Sequence, residues 1–101
     1  MSPDPADLLR TAADRLEALG ARSTPGDWRV AGLLATRPEI VAHAGGSTEH
    51  VAEARAGSAA WIIALSPAVA GPLAAWLRSA AETDPSAEAL ALARALLDRL
   101  P

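Results

Sequence analysis

The chain is 101 residues long, half of them apolar, with nine basic and twelve acidic residues, a formal charge of −3 and no cysteine. That length suits one hydrophobic core and predicts a single domain over residues 1–101, while the missing cysteine excludes disulfides, zinc ribbons and thiol chemistry. The charges are mild and interspersed, so neither the basic footprint of a nucleic-acid binder nor an acidic block is present.

Every basic residue is Arg, and the apolar residues are mainly Ala and Leu with three tryptophans, Trp28, Trp61 and Trp76, and no Phe or Tyr. Ala buries little area, so Trp, Leu, Ile and Val must supply most of the core, at about 1.5–3 kcal/mol per fully buried side chain. The opening residues MSPDPADLLR have neither a basic segment nor an apolar one. A signal peptide is not expected there, and the expected location is cytoplasmic.

The first predicted element is a helix. Asp4 precedes Pro5 as an N-cap precedes proline at the first helical position, and Asp7 adds negative charge to the first turn. Leu8, Ala12, Leu16 and Leu19 share one face, with Leu9 beside them. Arg10 and Asp14 stand four apart on the other side, and Gly20 supplies a stop.

Pro25-Gly26 then marks a turn. Residues 28–36 read as a strand that Gly32 weakens or bulges, and Arg37-Pro38 breaks it. Residues 39–44 (EIVAHA) form a second strand, and Gly45-Gly46-Ser47 a turn. Residues 49–54 read as the return strand of a hairpin, in preference to a helix capped by Ser47 or Thr48. The middle of the chain is thus a small antiparallel meander of two or three strands.

Between Arg55 and Arg78 lie 22 residues without a charge, long enough as one helix to cross a bilayer core. Their punctuation argues otherwise. Ser58 reads as the N-cap of a short helix ending near Leu65, Ser66-Pro67 as the start of another, and Pro72 as a kink. Only eight of the 22 are large apolar residues, and no second span or loop-charge asymmetry accompanies them. The stretch is expected to be a buried helical elbow, with no membrane partner. Finally, Thr83-Asp84-Pro85 is read as capping a helix over residues 86–100 whose stripe is Leu90, Ala93, Leu97 and Leu100, widened by Leu92 and Leu96.

Chemistry is sparse along this chain. His43 and His50 flank the hairpin tip near Glu49 and Glu53, but no spaced third ligand fixes a metal, and a solvated tip explains them. No serine sits in a nucleophile elbow, the acidic residues of the first helix are solvated, and Gly45-Gly46 lacks the lysine of a phosphate loop. The expectation is therefore a non-enzyme with no catalytic, cofactor or metal residues. Leu92, Leu96 and Leu100 are the candidate partner-binding residues, facing another protein or a second copy as a homodimer.

One combination of motifs carries a resemblance. TPGDWRV (Thr24–Val30) resembles the T-P-G-x-W segment of small, functionally uncharacterised proteins of actinobacteria and their phages. WIIALSPAVAGPLAAWL (Trp61–Leu77) is similar to their short helix, Pro elbow and Leu/Trp helix, and the whole looks related to the Ead-like group of phage accessory proteins. Their elbow helix often begins with an acidic cap where this chain has Ser58. The resemblance implies a phage or prophage origin and transfers no functional residue.

The expected architecture is α+β: an N-terminal helix, the meander, the elbow and a C-terminal amphipathic helix, with the three tryptophans near a shared core. The expected function is a non-enzymatic phage-related accessory or interaction module. The alternative is a nucleic-acid-associated regulator using the Arg-bearing sheet.

Overall fold

The computed structural model describes residues 3–32 and 37–101. Helix α1 spans Pro5–Arg22, strands β1, β2 and β3 span Asp27–Ala31, Glu39–Ala44 and Ser47–Glu53, and helices α2, α3 and α4 span Ala56–Ala64, Ala70–Thr83 and Ala87–Arg99. The fold is α+β, with three antiparallel strands in the order β1-β2-β3. The chain divides into two compact units, residues 23–69 and the helices formed by residues 1–22 with 70–101.

In the helical unit, α1 packs against both α3 and α4. Asp4 caps α1 as its sequence predicts, its carboxylate accepting from the Ala6 N–H at 2.8 Å. The core is largely alanine: Leu9, Ala12 and Ala13 of α1, Ala74, Leu77 and Ala81 of α3, and Ala89 and Ala93 of α4. Small side chains let helix backbones approach closely, so the seam is thin and the larger leucines flank it. On α1 the buried face is centred on Leu9 and Ala12–Ala13, and Leu8 and Leu16 are only half-buried. Arg10 pairs with Asp7 at 3.3 Å. Asp14 instead pairs with Arg78 of α3 at 2.8 Å, and Glu17 holds the same guanidinium.

Gly20 does not end α1, which continues to Arg22. Its role is steric, because a Cβ there would stand 3.0 Å from the Ala70 Cβ at the start of α3. The α4 cap is Ser86, not Thr83 or Asp84: its side chain accepts from the Ala89 N–H at 3.1 Å, and Thr83 closes α3. Pro72 is the third residue of α3. It causes no interior break, because first-turn N–H groups have no intrahelical acceptor.

In the sheet unit, the T-P-G-x-W segment is a fastening. The Trp28 indole N–H donates to the Thr24 carbonyl at 3.0 Å. Gly26, at φ +110°, crosses His43 so closely that a Cβ would lie 2.6 Å from its carbonyl oxygen. Only glycine fits both the dihedral and the space. Strand β1 ends at Ala31, before Gly32 at φ +71°, and expected strand residues 33–36 lie outside the described residues. Gly45 and Gly46, at φ +56° and +81°, form the two-residue turn whose twist suits a hairpin. The return segment is a strand, as preferred over a helix, and its register slips between Ile40 and Val41 at a bulge.

Register divides the sheet into two faces. Trp28, Val30, Ile40 and Ala42 share one, where Ile40 and Ala42 are buried and α2 packs over β1 and β2. Asp27, Arg29, Glu39, Val41, His43, Thr48, His50 and Glu53 share the other. α2 begins at Ala56 behind Arg55, which makes no side-chain cap bond, so Ser58 is not its cap. Pro67–Val69 forms a 3-10 turn closed by the Val69 N–H donating to the Ser66 carbonyl at 2.9 Å, and α3 begins only at Ala70.

Candidate docking face

The expected burial of the elbow does not hold. Trp61 is 68% exposed, Leu65 58% and Trp76 48%, while Trp28 is half-buried. The local reason differs in the two helices. In α3 the inward stripe is Ala70, Ala74, Leu77 and Ala81, recurring at the spacing of one helix face. Trp76 is one residue, about 100° of helix rotation, away from Leu77. In α2 only Ala59 is fully buried, with Ile62 and Ile63 half-buried. An apolar helix has one side to give to the sheet, and Trp61 and Leu65 fall on the other.

The outward side of α2 is built from Gly57, Ala60, Trp61 and Ala64, all exposed, with Leu65 at its C-terminal edge. None carries a charge, and Leu65, the C-cap residue, follows Trp61 by four positions, about one helical turn. By length and composition the stretch Ala56–Thr83 could cross a membrane, and 17% of its most apolar window is buried. It is not one regular helix, however. Leu65 leaves helical geometry at φ −112°, ψ 35°, so α2 is nine residues, about 14 Å long, against a hydrocarbon core of about 30 Å.

Leu92 and Leu96 are half-buried and pack against the alanine core, as do Leu90 and Leu97, whereas Leu100 is the half-buried C-cap of α4. His43 lies opposite Asp27 and Thr48, and His50 opposite Val41. His50 contacts Glu39 across the hairpin, and both are substantially exposed. Among the described residues no group of three His, Cys, Asp or Glu side chains is placed to hold a metal ion. Ser66 is the one buried polar side chain among them.

Among the described strand residues the outer face of the sheet carries one arginine, Arg29, held by Asp27 at 2.6 Å. Glu39 and Glu53 share that face, so its acidic groups outnumber its arginine. Such a surface repels a phosphate backbone. What the sequence reading missed is the α2 face itself. Its available signal was the absence of polar periodicity from Ala56 to Leu65, since a helix apolar all round must be covered by something.

No family model matches the chain, and no curated protein or solved structure matches it.

Proposed function

We propose that this chain is a non-enzymatic accessory module that works by docking, through the apolar outer face of α2, onto a protein surface. The observation that carries the reading is the exposure of Trp61 at 68% on a helix without charge, and of Leu65 at 58% at that helix's C-cap. An exposed tryptophan beside an exposed leucine is the composition of an interface anchor, where a few large apolar side chains supply most of the binding energy. The two fastenings of the sheet unit, at Gly26 and at the Gly45-Gly46 turn, hold the strands on which α2 rests. The T-P-G-x-W and elbow segments support a phage-related accessory role, and their conspicuous residues Gly26 and Trp28 are explained by folding.

The test is capture of interacting protein by the immobilised chain, compared with Trp61→Glu and with His43→Ala. The reading expects capture to be lost with Trp61→Glu and kept with His43→Ala. Equal capture by all three overturns it.

A further inference from the structure

We infer that residues 23–69 are an inserted unit that opens and recloses on its own while the helical unit stays folded. The chain leaves the helical unit after Arg22 and returns to it at Ala70. Those two points are neighbours within the helical unit, because a Cβ at Gly20, two residues before the exit, would stand 3.0 Å from the Ala70 Cβ. The neck of the insertion is therefore closed by the packing of α1 on α3. If the inserted residues unfold, they become a loop whose ends are already held together. The entropic cost of such a loop grows only with the logarithm of its length, so α1, α3 and α4 keep their packing.

Each unit closes its own interactions. In the helical unit α1 packs on α3 and α4, and Arg78 of α3 binds Asp14 and Glu17 of α1. In the sheet unit α2 packs over β1 and β2. There the Trp28 indole donates to the Thr24 carbonyl, the Ala54 N–H to the Pro38 carbonyl and the Val69 N–H to the Ser66 carbonyl.

The two cores are unequal. Among the described residues, the largest fully buried side chains are Leu9 and Leu77 of the helical unit and Ile40 of the sheet unit. The connected cluster of buried apolar residues lies in α1, α3 and α4, whereas the sheet unit buries Ile40, Ala42, Ala59 and Ser66. Fewer buried apolar contacts mean a smaller free energy of local opening. Residues 23–69 are also close to the shortest stretch that folds without a disulfide or a metal, about 40 residues. The sheet unit is thus the one that opens first. Helix α2 belongs to it, so the outer face of α2 is presented only while this unit is closed.

Native-state hydrogen exchange, read by NMR on the full chain where exchange reports opening equilibria, tests this. The slowest amides of β2 and β3 should be less protected than the slowest amides of α1 and α3. Ile40→Val should lower protection in the strands by about 2–10-fold and change the helices by less than ~2-fold. Ser86→Ala should lower protection in α1, α3 and α4 by about 5-fold and leave the strands within that same limit. Gly26→Ala is the stronger perturbation: protection in the strands should fall by ~100-fold or be lost, with the helices still protected. Equal protection of the slowest amides in both units overturns the inference. So does any of the three variants shifting the other unit by more than ~2-fold.

Discussion

Replacing Gly26 by alanine strikes the tightest point in the sheet unit. Gly26 sits at φ +110°, and the new Cβ would lie 2.6 Å from the His43 carbonyl oxygen, 3.0 Å from its carbon and 3.1 Å from the Ala44 Cβ. Two penalties combine. The dihedral is one that L-residues rarely adopt, at about 1–3 kcal/mol, and relieving the overlap moves backbone of a paired strand, at about 1–3 kcal/mol. The entropy that alanine removes from the unfolded chain offsets about 0.4–1 kcal/mol. The expected net loss is about 3 kcal/mol, more than half of the ~5 kcal/mol at the low end of domain stability. Urea unfolding followed by the fluorescence of the fastened Trp28 measures it. Gly57→Ala is the internal control, because its Cβ meets nothing within 4 Å and it should be neutral or stabilise α2 by up to about 1 kcal/mol. If Gly26→Ala costs less than about 1 kcal/mol, or no more than Gly57→Ala, the account of the T-P-G-x-W segment is wrong.

Three other substitutions or measurements follow from the same geometry. Ser86→Ala removes the side-chain acceptor for the Ala89 N–H and should lower stability by about 1 kcal/mol, seen as an earlier loss of helical circular dichroism. Arg78→Ala breaks the contacts to Asp14 and Glu17, but these groups are solvent-accessible. The change in stability should stay below about 1 kcal/mol and shrink as salt is added. Duplex DNA should show no affinity that falls steeply with salt, because Arg29 on the outer sheet face is held by Asp27 among further carboxylates. A log–log salt slope of about −4 or steeper would contradict that reading.

Local signals in the sequence located most of the elements. Asp4-Pro5 starts α1, Gly45-Gly46 makes the hairpin, and Leu65-Ser66-Pro67 interrupts the apolar run, because capping, positive φ and a missing N–H act over a few residues. Positions that depend on partners were less legible. Gly20 reads as a stop by composition, yet it is a helix residue spared for the approach of Ala70. Trp61 and Trp76 read as core because they are the largest apolar residues in the run. Hydrophobicity says that a side chain favours leaving water, but not which surface will cover it. In α3 the alanine-centred stripe takes the inside position, and in α2 an unbroken apolar sequence carries no period from which to choose a face. The leucines of α4 were legible as an apolar stripe, but its centre is Ala89 and Ala93, with Leu92 and Leu96 at the sides.

The central claim is that Trp61 stands in solvent, ready to be covered by a docking surface. Fluorine NMR of the 5-fluorotryptophan-labelled chain at low micromolar concentration tests it most directly, with each resonance assigned by single Trp→Phe variants. The account predicts a large H₂O/D₂O isotope shift for Trp61 and a smaller one for the half-buried Trp28. A Trp61 resonance with no isotope shift at low concentration would contradict it.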